Sequence, residues 1–474
     1  MLAAVSITTA NYTTGAPSSN TAASDRLSLS AMALSRRAEA ESGNSPRALI
    51  WQVYANSYHP ESNPDGFINL GVAENRLMHP ELISRIDKIS TAPEHSLTYG
   101  EGPKGSRRLR TTLGRFLTQH LRPRRAIEAE HVIITNGVSS AIEHCSWAFT
   151  DPGQGWLLGQ PHYGAFKSDL TSRFDAELLR VPFGDVDPMS AEAVENYEKA
   201  LLEAQSRGVK VGGLMLCNPH NPLGRCYSKE ALKAYLHLCG KHGLHLVSDE
   251  VYALSTWQNE ESKDAVGFTS ILSIDSDGLI DSSFVHVLWG VSKDFGANGL
   301  RLGCIVSQDN KTFHDSLTIS TIHSYASGLA DHAVAEMLED SKWVEGYVSE
   351  NQRRIAKAYQ KTTEILDSQG IEYAKGSNAG FFLWVDLSKT WLKKHTVDAD
   401  EDVTTTIMDR LWKHKVFLAS GSSFGSEKPG FFRITFSHPW EYLFAGIERM
   451  IEALEMESDV KLRDLSLVDG VGSK

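Results

Sequence analysis

Between residues 100 and 330, short apolar runs alternate with amphipathic stretches, and no other feature limits the fold of this chain as strongly. Residues 131–135 lead through Gly137 into a helix-like stretch at 139–149. Residues 213–217 lead into the loop 218–224 and a helix from Ser228. Residues 244–247 lead into Ser248-Asp249-Glu250, and 284–289 into a loop that carries Lys293. Short runs this poor in polar residues predict strands buried on both faces, and parallel strands need helical crossovers. The expected fold class is α/β: a mostly parallel central sheet flanked by helices. Ligands of such sheets gather outside the carboxyl ends of the strands, so polar residues there are the first candidates for function.

The rest of the chain is arranged around this region. Residues 1–44, rich in Ser, Thr, Ala and Asn without a sustained apolar period, read as a disordered tail. A mitochondrial presequence stays open for it, although the first arginine comes only at Arg26. Residues 45–99 read as an N-terminal segment joining a small domain, 100–330 as the large cofactor-binding domain, and 331–474 as the small α+β domain. The last contains a long helical region at 331–369 and strand-like runs at 380–386, 416–419 and 430–436. A balance of 47 basic against 59 acidic residues, net −12, argues against nucleic acid or an anionic membrane as a partner. No apolar run reaches the roughly 18–20 residues of a membrane span. Five cysteines without C-x-x-C spacing fit small core residues in a reducing compartment, so the expected location is cytoplasmic. The histidines show no H-E-x-x-H or finger spacing, and no metal is expected.

Four strand ends carry residues suited to a phosphorylated pyridine. The turn Asn136-Gly137-Val138-Ser139-Ser140 leads into a helix N-terminus, whose free N–H groups and positive dipole end attract phosphate. Arg301 can fork onto phosphate oxygens. Asp249 can pair with a protonated ring nitrogen, and Asn221 and Tyr252 can donate to a ring phenolate. Lys293, desolvated near cations, has the lowered pKa that a nucleophilic amine needs to form a Schiff base. Together these residues imply pyridoxal 5′-phosphate (PLP) chemistry, in which the cofactor stabilises a carbanion at the substrate Cα.

Two other patterns carry less. Residues 100–105 fit G-x-G-x-x-G but follow no buried strand, and Pro103 removes a backbone donor; they read as a turn before a basic helix with solvated arginines. Residues 421–425 fit G-x-S-x-G, but a strand-like run follows where a nucleophile elbow needs a helix. A loop between two strands, placing Arg433, is the expectation there.

The segments "NLGVAENRL" (69–77), "NPHNPLG" (218–224), "SDEVY" (248–252), "SKDFGANGLRLG" (292–303), "SNAGFFLWVDL" (377–387) and "SGSSFGSEKPGFFRITF" (420–436) also carry a resemblance. Over roughly residues 48–455 the chain resembles fold-type-I PLP enzymes of the class I/II aminotransferase superfamily, and within it 1-aminocyclopropane-1-carboxylate (ACC) synthase-like proteins. The first and last segments are the most specific. The resemblance implies Lys293 as the Schiff-base lysine, Asp249 as the pyridinium partner, and Asn221 and Tyr252 as phenolate partners. It implies Val138, Ser139 and Arg301 as phosphate holders and Tyr163 as the aromatic stacked on the ring. Arg433 would bind the substrate carboxylate, Glu74 would lie near the substrate, and Tyr99 would reach the neighbouring subunit's site in a homodimer.

Two departures stand out. Where the family pattern S-x-S-K has a serine, this chain has Gly290, and "YGEGPKGSRRLR" replaces a plant-like Y-H-G-L-P around Tyr99. The second change lies in a region near the substrate in relatives, and fungal relatives of this type act in secondary metabolism. The implied function is an ACC-synthase-like lyase that cleaves a carbon–sulfur bond of an α-amino acid. The alternatives are an aminotransferase making a 2-oxo acid, and a catalytically silent homologue of the fold.

Overall fold

The computed structural model describes residues 34–35, 38–39, 47–89, 92–396 and 402–456. The stretch 1–44, read as a disordered tail, lies outside the described residues except at 34–35 and 38–39. Two compact units divide the chain, Met1–Ala55 and Asn56–Lys474. In the first, the helix Arg47–Ala55 is described. Everything below concerns the second.

Its strands are β1 (Ile68–Asn69), β2 (Val132–Thr135), β3 (Gly155–Gly159), β4 (Glu177–Val181), β5 (Val211–Cys217), β6 (His245–Asp249), β7 (Val285–Gly290), β8 (Gly303–Val306), β9 (Glu372–Tyr373), β10 (Phe382–Asp386), β11 (Val416–Phe417), β12 (Ala419–Ser420) and β13 (Phe431–Thr435). A seven-stranded sheet runs in the order β2-β8-β7-β6-β5-β3-β4. Its pairs are parallel except those of β8, which is antiparallel to both β2 and β7. The period-2 alternation of side chains feeds two cores. Leu246, Val287, Trp289 and Leu214 join Leu113, Phe116, Leu232 and Tyr235 on one face. Val247, Leu288, Met215 and Ile133 join Ile142, Cys145, Phe166 and Leu170 on the other. Helices therefore cover both faces, and the fold class is the expected α/β architecture.

A four-stranded antiparallel sheet, β12-β13-β10-β9, and the parallel pair β1-β11 carry a separate hydrophobic cluster around Phe381, Phe382, Phe432 and Ile447. The run read at 416–419 is two strands, because Leu418 turns the chain from the β1 edge to the β13 edge. The helical region read at 331–369 is two helices, Gly328–Glu339 and Ser341–Ser368, with Asp340 between them accepting a hydrogen bond from the Trp343 N–H. All five cysteines are free and buried. Among the described residues, no helix is long and apolar enough to cross a membrane.

Candidate active site

The carboxyl ends of β2, β5, β6 and β7 point the same way, so the residues just beyond them meet. β7 ends at Gly290, and Lys293 follows on the short helix Val291–Asp294. Gly290 pairs with Gly303 across β7 and β8. A Cβ on Gly290 would lie 2.9 Å from the Leu302 carbonyl oxygen, and one on Gly303 would lie 2.7 Å from the Gly137 carbonyl carbon. The two glycines let three backbones pack closely, and a serine at 290 would require the Leu302 carbonyl to shift. Ser292 is buried on the turn that follows.

The Lys293 ammonium donates to the Ala73 carbonyl at 2.7 Å. Burial lowers its pKa to about 8, with Arg433 and Arg301 adding to the effect and Glu74 and Asp249 opposing it. Burial raises Asp249 to about 7, against a hydrogen bond from the Val251 N–H and the charge of Lys293. Glu74 accepts from Asn298 at 3.0 Å.

Arg433, on β13, is 3% exposed. Its Nη1 donates to Asn221 Oδ1 at 2.9 Å and its Nη2 to the Gly71 carbonyl at 2.6 Å, while its buried Nε finds no acceptor. The guanidinium carbon lies 4.8 Å from the Phe424 ring centre and 5.2 Å from that of Phe382. Tyr252 is buried edge-on to Phe381 and Phe382, and burial pushes its phenol well above the ordinary value, with Arg433 opposing. Tyr163 lies perpendicular to Phe166 and interacts with both Tyr252 and Arg433.

Gly137, at φ +77, precedes the helix Val138–Phe149, and no side chain caps that helix. A Cβ on Gly137 would lie 2.5 Å from Arg301 Nη2, so the guanidinium lies directly against the helix start. Ser139 is exposed at this end and Val138 partly buried.

The structure thus brings together Lys293, Asp249, Glu74, Arg301, Arg433, Asn221, Tyr252 and Tyr163, with the helix start at Val138 and Ser139. Tyr99 stands apart, 89% exposed, its carbonyl accepting from the Tyr325 hydroxyl. The 421–425 stretch forms the 3-10 turn Gly421–Phe424 and passes into β13 without a helix. The stretch 100–105 is a turn before the helix Arg107–Leu121, where Arg108 is not simply solvated: it is paired with Glu339.

Some participants carry no sequence pattern. The carbonyls of Gly71 and Ala73 act through the backbone alone. Asn298 and Phe424 are placed by tertiary contact. Asp294 does have a signal, its place next to Lys293. It is buried, accepting from Ser255 Oγ at 2.7 Å, Trp289 Nε1 at 3.0 Å and the Leu254 N–H at 3.2 Å, which pins the lysine turn.

The family model for aminotransferase class I and II matches residues 65–450. The mouse 1-aminocyclopropane-1-carboxylate synthase-like protein 1 is 33% identical over 418 residues, 86% of this chain and 80% of that protein. The 1-aminocyclopropane-1-carboxylate synthase of Nicotiana tabacum is 32% identical over 413 residues, 83% of this chain and 80% of its own. A solved structure of a Thermus thermophilus aspartate aminotransferase double mutant superposes with a TM-score of 0.68 at 20% identity, covering 89% of this chain and 99% of that one.

Proposed function

The chain belongs to the aminotransferase class I and II family, and from that premise we propose that it is an ACC-synthase-like lyase that breaks a carbon–sulfur bond of an α-amino acid. It is a PLP-dependent enzyme. Two features support the fit of that cofactor to these residues. The uncapped helix start lies against Arg301, ready for an anion, and the buried Asp249 carboxylate at the end of β6 feels the charge of Lys293, where a cationic ring nitrogen could pair with it.

In this proposal Val138, Ser139 and Arg301 hold the phosphate, Asp249 the ring nitrogen, Asn221 and Tyr252 the ring oxygen, and Tyr163 the ring face. When bound, PLP supplies an electron sink for the pair left on the substrate Cα. The protein does the rest. Lys293, with a pKa near 8, is partly neutral at physiological pH and can give or take the Cα proton. A cationic ring nitrogen beside Asp249 favours its charged form. Arg433 fixes the substrate carboxylate, and its aromatic surroundings exclude water.

Glu74 carries the choice of reaction. Held by Asn298, its carboxylate acts on Lys293 and would favour binding of a substrate whose sulfur is a sulfonium, which takes the bonding pair and leaves as a neutral thioether. Transamination is the alternative, since Lys293, Asp249 and Arg433 serve both outcomes. Mass-spectrometric products from S-adenosylmethionine, from cysteine conjugates, and from plain amino acids with 2-oxoglutarate separate them. Turnover only in the presence of the oxo acid sinks the lyase reading.

The homodimer is part of the proposal, supported by the exposure of Tyr99, which would reach the neighbouring site. So is the division at 45–99, 100–330 and 331–474: the two sheets carry separate cores, although Val334, Val344 and Tyr347 pack with the large sheet's core and Tyr252 and Trp257 with the smaller one's. A cytoplasmic location rests on the five free cysteines. A place in secondary metabolism rests on the resemblance to fungal relatives alone.

A further inference from the structure

Glu74 enters the pocket from outside the large sheet, and its main chain and side chain are held by different groups. Ser437 Oγ donates to the Glu74 carbonyl at 2.8 Å, and the Arg76 N–H donates to the Ser437 carbonyl at 2.8 Å. The neighbouring Asn75 is buried and donates to Asn351 Oδ1 at 2.8 Å. These contacts set the course of the backbone at Glu74.

The side chain meets Asn298. This residue opens the 3-10 turn Asn298–Leu300, its Nδ2 donates to Glu74 Oε1 at 3.0 Å, and its own carbonyl accepts from Arg301 Nη1 at 2.9 Å. Arg301 is held in a left-handed backbone conformation, φ +50, with its guanidinium against Gly137. A single residue therefore touches both the cation at the helix start and the anion beside Lys293.

We propose that Asn298 is a positioning residue: its side-chain amide holds the Glu74 carboxylate on the Lys293 side of the pocket, while its carbonyl steadies Arg301. The inference deepens the active-site reading and rests on it. Four charged groups bear on Lys293, of which Arg433 and Arg301 lower its proton affinity and Glu74 and Asp249 raise it. A Glu74 carboxylate displaced from Lys293 weakens the opposition to the two arginines, and the amine then loses its proton at lower pH.

Asn298→Ala removes the amide and keeps the carbonyl that Arg301 uses. The rate at which the cofactor-free chain takes up PLP, followed by absorbance across pH, reports the neutral amine of Lys293. The midpoint of that profile in Asn298→Ala falls about half to one pH unit below that of the unaltered chain. Glu74→Gln shifts it the same way, and the double variant shifts it no further, because the two side chains act through one contact. An Asn298→Ala profile that superimposes on the unaltered one overturns the proposal, as does full additivity in the double variant. A chain that takes up no PLP at all defeats the active-site reading instead. Crystal structures of the unaltered and Asn298→Ala chains then decide the link: an unmoved Glu74 carboxylate overturns it, and a displaced one supports it.

Discussion

Strands β6 and β7 bury titratable groups at both ends, and the two ends treat them differently. At the carboxyl end, Asp249 is raised to about 7 and Lys293 lowered to about 8, with Arg433, Arg301 and Glu74 acting on the lysine. At the amino end, His245 Nδ1 meets His286 Nε2 at 3.0 Å and His286 Nδ1 meets Ser307 Oγ at 3.0 Å. Phe149 stacks on His245 at 3.7 Å, and Phe284 and Phe313 complete the enclosure. Burial pushes His245 down to about 4 and His286 well below its ordinary value, and no carboxylate is among the causes. Burial alone makes a group neutral and inert. Burial among converging charges of both signs keeps it poised near neutral pH.

The sharpest way to break this comparison is Lys293→Ala. Purified native protein should absorb near the visible edge, and the variant should lose that band completely, while substitution at His286 should leave it intact. A band that survives without Lys293 removes the carboxyl end's special standing. Arg433→Ala comes next. A desolvated arginine that pairs with a substrate carboxylate contributes about 2–5 kcal/mol, so KM for the amino acid should rise at least about thirtyfold. An unchanged KM contradicts the assigned role. Gly290→Ser is smaller. The new Cβ meets the Leu302 carbonyl oxygen at 2.9 Å, so denaturant midpoints should report a loss of about 1–3 kcal/mol with no gain in PLP affinity. Tighter PLP binding would show that the added hydroxyl reaches the phosphate after all.

The same contrast explains what the sequence made legible. Asp249, Asn221 and Lys293 each follow an apolar run at a parallel strand end, where local pattern and topology agree on one location. Strands β3 and β4 were not foreseen. β3, "GWLLG", is flanked by glycines that resemble turn residues, and β4, "ELLRV", carries charge because it is the edge of the sheet. The antiparallel direction of β8, "GCIV", has no signature either, since direction leaves no mark on a buried strand. The Ala73 and Gly71 carbonyls, and the Asn298–Glu74 contact across 224 positions of chain, depend on tertiary approach and have no local signature. Gly290 stands where the family pattern has a serine, and the close approach of the Leu302 carbonyl oxygen, 2.9 Å from where its Cβ would lie, is a matter of tertiary packing.

The amino end makes the smallest prediction and the most direct one about burial itself. A histidine whose folded pKa lies below its unfolded value of 6.5 costs the folded state stability once the unfolded chain begins to take the proton. For His245 that loss starts as pH falls through 6.5 and levels off below about 4, and above 6.5 it is absent. His286 is displaced in the same direction and adds to the loss below 6.5; His245 and His314 are the charged neighbours that act on it. His286→Gln keeps a neutral hydrogen-bonding group and removes one titration. Its melting temperature should be lower than that of the unaltered protein at pH 8, because the ring packing is lost. Between pH 6.5 and 4 it should fall less, by about 3–5 °C. Other buried histidines, including His144, His220 and His438, contribute equally to both proteins and cancel in that difference. Parallel curves would mean that the folded pair accepts protons freely, and the two ends of the strands would then differ in chemistry but not in the electrostatic consequence of burial.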